Sequence, residues 1–107
     1  MIGKVVTVTV DRPIGSRHPE YPDMIYPINY GYIKGVLAPD GEEQDAYILG
    51  VDDPVWEFSG RVIAIIHRLN DVENKLVVAP DGMSFSKDDI IEKTYFQEKY
   101  FNIMVEF

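Results

Sequence analysis

The sequence has no cysteine, which excludes disulfides and thiolate metal sites. Its two histidines, His18 and His67, lie far apart along the chain. A metal ion would therefore rest on oxygen ligands, which points to Mg²⁺, Mn²⁺ or Ca²⁺. No apolar run is long enough to span a bilayer, since the longest, Val62 to Ile66, is a fraction of the length required. The N-terminal Met1-Ile2-Gly3-Lys4 lacks the apolar block of a signal peptide. Together these absences predict a cytoplasmic protein. Basic residues are also few, ten against eighteen acidic ones, giving a formal net charge of −8. A broadly acidic surface argues against nucleic acid or an anionic membrane as partner, and in most acidic domains such a charge is explained by solubility alone.

What is present is a chain of 107 residues with 46% hydrophobic content, enough for one domain over residues 1–107 with a real core. Residues 4–10 alternate in type and are rich in β-branched side chains, which predicts a strand. Residues 11–25 hold Pro13, Gly15, Pro19 and Pro22, a spacing that neither a helix nor a central strand tolerates. Tyr26 to Ile33 reads as a turn entering a strand, and Asp40-Gly41 as a tight turn. Further strands are predicted at 45–51, 61–68 and 75–79, the last two forming a hairpin across the polar residues 70–74. Ser86 followed by Asp89 marks a helix start, and the helix is expected to run to about residue 101. Ile90, Ile91, Thr94, Tyr95 and Phe101 are expected on one face, with Phe96 and Tyr100 nearly opposite, covering a site or a second subunit. The apolar tail Ile103-Met104-Val105 fits either a homo-oligomer contact or a terminal strand. The expected fold is mainly β: an OB-like β-barrel of five to six strands with one C-terminal α-helix packed on it.

Three groups of residues carry chemistry. Asp40, Glu42 and Asp45 lie within six residues around the Asp-Gly turn. Carboxylates gathered this closely raise one another's pKa, a penalty that a divalent cation removes. Asp71, Glu73 and Lys75, spaced by two at the head of a strand, are expected to point one way. Tyr26, Tyr30 and Tyr32 cluster with Pro27, Asn29 and Gly31, either as an aromatic core corner or as hydroxyl donors to a ligand. Taken singly, acidic turns and surface ion pairs are common in proteins without a site.

In order, the segments resemble a known signature. Tyr26-Pro27-x-Asn29-Tyr30-Gly31-Tyr32-Ile33 followed by Asp40-Gly41-Glu42-x-x-Asp45 resembles the central motif of the soluble inorganic pyrophosphatases. Asp71-x-Glu73-x-Lys75-Leu76-Val77-Val78-x-Pro80 is similar to that family's acidic turn and Lys-Leu-Val strand, and Phe96-x-Glu98-x-Tyr100 to its last helix. The resemblance implies hydrolysis of pyrophosphate with Mg²⁺, or Mn²⁺, held by Asp40, Asp45, Asp71 and Glu73 with Glu42 beside them. It implies Glu42 as general base, Asp40 within the catalytic group, and Lys75, Tyr26 and Tyr100 as holders of phosphate oxygens. The sequence departs from the family pattern at Glu42, where an aspartate is usual, and at Phe101, where a lysine is usual. An early hairpin carrying a lysine, a glutamate and an arginine is replaced by the proline-rich stretch 11–25. Arg17 is the candidate for that arginine, with Arg12 second. These departures leave open a non-catalytic relative that binds metal, phosphate or nucleotide, a hydrolase of another phosphoanhydride, and a structural oligomeric barrel.

Overall fold

The computed structural model describes residues 1–107. Six strands and one helix follow in the order β1 (Val5–Arg12), β2 (Asn29–Leu37), β3 (Glu43–Ile48), β4 (Glu57–Arg68), β5 (Asn74–Ala79), α1 (Lys87–Glu98) and β6 (Ile103–Glu106). The strand order is β1-β2-β3-β5-β4-β6, and β1 also pairs with β4, so five strands close into a barrel and β6 adds outside it. All pairings are antiparallel except β3 with β5. No helix is long and apolar enough to cross a membrane.

Closure depends on β4. Its twelve residues are long enough to pair with β1 through Glu57–Arg61, with β5 through Arg61–His67 and with β6 through Ile65–Arg68. The β4–β5 register slips between Val62 and Ala64. Successive side chains of a strand alternate faces, so a one-residue slip reverses the phase. Val62 consequently joins the interior cluster of Val8, Val10, Ile33, Ala46, Ile48, Leu76 and Val78. Ala64 and Ile66 instead join Tyr47, Leu49, Val77 and Ile90 between the barrel and the helix. Arg68, two residues beyond Ile66, follows on that outer side.

Helix α1 starts as its sequence dictates. The Ser86 hydroxyl accepts from the Asp89 backbone N–H (3.1 Å) and the Asp89 carboxylate accepts from the Ser86 N–H (3.4 Å), a complete capping box. Ser86→Ala should lower stability by about 1 kcal/mol. Urea unfolding checks this: a shift of midpoint without change of slope is the expected result.

The helix ends at Glu98, short of the expected residue 101. The chain must reverse there to bring β6 onto β4, and the Leu69 N–H donates to the Asn102 carbonyl (2.7 Å) at that return. The buried face also differs from the apolar pattern: it is Ile90, Thr94 and Glu98, while Tyr95 is exposed and Phe96 packs inward against Tyr26 and Tyr47. Spacing by four aligns these residues, and hydrophobicity alone could not mark Glu98, whose burial depends on an ion partner thirty residues away. The tail Ile103-Met104-Val105 is a terminal strand on this chain's own β4.

Candidate functional site

Alternation places Tyr30 of β2, Asp45 and Tyr47 of β3, Lys75 of β5 and Arg68 of β4 on the outer face of the barrel. Helix α1 covers part of that face. The remainder forms an open cavity of about 1060 Å³, walled on its far side by residues 18–26 and closed at one end by Tyr100 and Phe101.

Its floor is a chain of alternating charges. The Lys75 ammonium meets Asp45 at 2.7 Å and Glu73 at 3.3 Å. Glu73 in turn meets Arg68 at 2.7 Å. The Arg68 guanidinium grips Glu98 with two hydrogen bonds, Nε to Oε1 at 2.9 Å and Nη2 to Oε2 at 2.7 Å. Its Cζ lies over the Phe101 ring, 3.8 Å from the centroid, within cation–π range. The Arg68, Lys75 and Glu98 side chains are 6%, 4% and 1% exposed. Charges this deep are tenable only when paired. Burial alone would lower the Arg68 pKa, but the hydrogen bonds and charge of Glu98 more than offset it, and the guanidinium is held well above its ordinary range.

A hydroxyl network joins this chain. Tyr47 donates to Glu98 (2.6 Å), Gln97 donates to the Tyr47 oxygen (2.7 Å), and Tyr26 donates to Gln97 Oε1 (3.0 Å). Burial, reinforced by the charge of Glu98 at Tyr47 and of Asp45 at Tyr30, pushes both phenols well up. Both therefore remain neutral donors at ordinary pH. At the rim, burial also raises the Asp11 carboxyl, partly offset by the neighbouring Arg12 charge.

The proline-rich stretch forms the far wall as a small hairpin. Its backbone pairs Gly15 with Tyr26, Ser16 with Tyr26 and His18 with Met24, and an isolated bridge joins Arg17 and Ile25. The ring of His18 stacks parallel to Tyr26 at 6.4 Å. Buried Asn29 anchors the base of the loop: its carbonyl accepts from Ile14 (3.0 Å) and Val55 (3.4 Å), and its amide donates to Asp53 (3.0 Å). The Asn of the Tyr-Pro motif thus holds loops together and does not line the cavity.

The residues singled out from sequence divide into two groups. Tyr26, Glu73, Lys75 and Tyr100 line the cavity, and Asp45 joins them through its bond to Lys75. Asp40, Glu42 and Asp71 are exposed on turns. The Asp40 carboxylate accepts from the Glu42 N–H (3.0 Å), and that of Asp71 from the Val72 N–H (2.6 Å). Arg17 donates to the Pro22 carbonyl (2.8 Å) and does not line the cavity, whereas Arg12 does. Sequence reasoning assigned no role to Arg68 or Glu98, and it left Tyr30, which lines the cavity, open between core corner and hydroxyl donor. For Arg68 a signal existed: it is a lone cation in phase with the apolar residues ending the most regular strand.

An inorganic pyrophosphatase from Ehrlichia chaffeensis superposes with a TM-score of 0.71 at 18% identity, over 96% of this chain and 85% of the other. Those from Helicobacter pylori and Neisseria gonorrhoeae give 0.66 and 0.65 at 20% and 22% identity, over 96% and 92% of this chain and 81% and 74% of theirs. The chain has the fold of the inorganic pyrophosphatases. No family model matches the sequence, and neither does any curated protein.

Within this pyrophosphatase fold, the donor set does not suit the metal that the sequence resemblance implies. No three side chains of His, Asp or Glu converge in a way that could hold an ion. Asp45 and Glu73 are already paired with Lys75, and Glu73 also with Arg68, and Asp40, Glu42 and Asp71 stand on exposed turns.

Proposed function

We propose that the cavity binds a small phosphorylated anion, pyrophosphate or a related phosphoanhydride. One observation carries this reading. The chain is strongly acidic overall, with ten basic residues in total, yet four of them, Arg12, Arg68, Lys75 and Lys99, line this one cavity, where they balance Asp11, Glu20, Asp23 and Glu73 and stand beside Tyr26, Tyr30 and Tyr100. Fixed cations interleaved with neutral hydroxyl donors suit phosphate oxygens, which accept charge-assisted hydrogen bonds. The cavity is larger than pyrophosphate needs, since pockets of roughly 300–1,000 Å³ hold drug-sized ligands. Nucleoside diphosphates therefore belong among the ligands tested.

A second reading is Mg²⁺-dependent hydrolysis of pyrophosphate. It is supported by the motif resemblance and by the names of the structural neighbours. In that reading Glu42, Asp40, Lys75 and Tyr26 are the catalytic group, and Asp40, Glu42, Asp45, Asp71 and Glu73 the metal ligands. Because those carboxylates do not converge, no step through a metal is assigned.

One experiment separates the two. Binding of pyrophosphate, tripolyphosphate and ADP is measured by calorimetry, and phosphate release is followed with Mg²⁺, with Mn²⁺ and with chelator. We expect binding without release above the uncatalysed control. Metal-dependent release that disappears in Asp40→Ala would establish the hydrolase. Absence of binding by all three ligands would sink the phosphate reading.

A further inference from the structure

We infer that Arg68 and Lys75 do in this chain the work of a resident divalent cation, so that the cavity takes its phosphorylated ligand as the metal-free anion. The inference rests on the phosphate-binding reading above and adds how charge is balanced there.

Of the acids that the sequence resemblance assigns to metal, only Asp45 and Glu73 belong to the floor of the cavity, and both already have a cation. One Lys75 ammonium sits 2.7 Å from Asp45 and 3.3 Å from Glu73, and Arg68 sits 2.7 Å from Glu73. Together the two side chains carry the charge of one divalent ion, shared among Asp45, Glu73 and Glu98. A metal approaching the remaining oxygens of Asp45 or Glu73 would meet the repulsion of these cations at close range. That repulsion is weakly screened, because both side chains are nearly buried.

The two cations are also fixed in place. Glu98 grips Arg68 with two bonds and the Phe101 ring lies against its Cζ. Lys75 is held between two carboxylates, with its ammonium 5.7 Å from the Tyr30 ring centroid. A bound metal offers an anion a positioned positive charge without reorganisation, and clamped side chains offer the same. Donors remain for a ligand. A guanidinium has five N–H groups, of which Arg68 engages three. An ammonium has three, of which Lys75 commits one to a hydrogen bond with Asp45 while pairing with Glu73 by charge.

The substitution has a chemical consequence for the ligand. Mg²⁺ complexes of pyrophosphate present less negative charge and keep bound water around the metal. A site whose cations are built in gains most from the uncomplexed anion. Chelator should therefore leave affinity unchanged or raise it.

The test uses the full chain and two measurements. Thermal unfolding is followed with Mg²⁺, with Mn²⁺ and with chelator, and pyrophosphate binding is titrated in the same buffers. The wild-type melting temperature is expected to be the same in all three, and affinity in chelator to equal or exceed that in Mg²⁺. Lys75→Gln leaves Asp45 and Glu73 side by side with one fewer cation. It should lose about tenfold or more in pyrophosphate affinity and acquire a metal-dependent rise in melting temperature absent from the wild type. A wild-type protein that Mg²⁺ stabilises, or whose pyrophosphate binding falls tenfold in chelator, would overturn the inference. Failure to bind pyrophosphate in any buffer would remove the phosphate reading instead, while the wild-type melting comparison would still test the charge balance by itself. Should Lys75→Gln not fold, Asp45→Asn serves. It removes an acid and keeps Lys75 paired to Glu73, so pyrophosphate affinity should hold or rise, whereas a loss with Mg²⁺ present would mark Asp45 as a metal ligand.

Discussion

Glu98→Ala should destabilise the protein by about 3–5 kcal/mol, the range for removing one partner of a buried ion pair. The Glu98 side chain is 1% exposed and accepts from Arg68 twice and from Tyr47 once. Its removal leaves a nearly buried guanidinium with Glu73 as its one remaining carboxylate partner and a buried phenol without its acceptor. The damage should spread, because Gln97, Tyr47 and Tyr26 form one hydrogen-bonded set, and partly satisfied polar networks are unfavourable in low dielectric. Glu98→Gln keeps an acceptor oxygen and should lose distinctly less. Urea unfolding of both variants gives the measurement. A loss under about 1 kcal/mol for the alanine variant would mean that the pair is solvated, since exposed pairs contribute that little.

Gly31→Ala should be at least as severe, at about 4 kcal/mol or more, the range reserved for changes the backbone cannot absorb. A Cβ at Gly31 would lie deep inside van der Waals contact of the Thr9 carbonyl oxygen, 2.8 Å from its carbon and 2.8 Å from the Val10 Cα. All of these are backbone atoms of β1, so no side chain can turn aside. A strand glycine of this kind marks a close approach of another backbone. To admit the methyl, β2 would have to move off β1 at the Val10–Gly31 pair. Tyr30 and Tyr32 would move with it, and the cavity floor would open. Loss of soluble protein, or a collapse of the unfolding midpoint, is the expected result. A variant that unfolds like the wild type would show that the two strands can separate locally without cost. Gly41 offers a contrast: nothing lies near its would-be Cβ, and its glycine is required by a φ of +86°.

These two positions show why parts of the site were legible in the sequence and parts were not. Tyr26, Glu73, Lys75 and Tyr100 could be named because each sits in a local motif whose spacing survives in one dimension. Glu98 lay within such a motif, but nothing local marked it as buried. Its partner Arg68 is thirty residues away, and Arg68 faces the helix only because the register slip near Ala64 reverses the phase of β4. The sequence places Arg17 ahead of Arg12 as the candidate arginine, yet Arg12 lines the cavity and Arg17 does not, because the choice depends on how the proline-rich hairpin folds back over Tyr26.

By itself the sequence determined the absence of thiolate chemistry, the acidic balance, most of the strands and the capped start of the helix. Each of these depends on composition or on neighbours within a few residues. The tertiary structure decided the closure of the barrel, the docking of β6, the helix face that is buried and which acids reach the cavity. Those outcomes depend on pairings between residues distant in the chain. They also decided the charge balance of the floor: the acidic residues look free in one dimension, and in the folded protein Asp45, Glu73 and Glu98 are each bound to a buried cation.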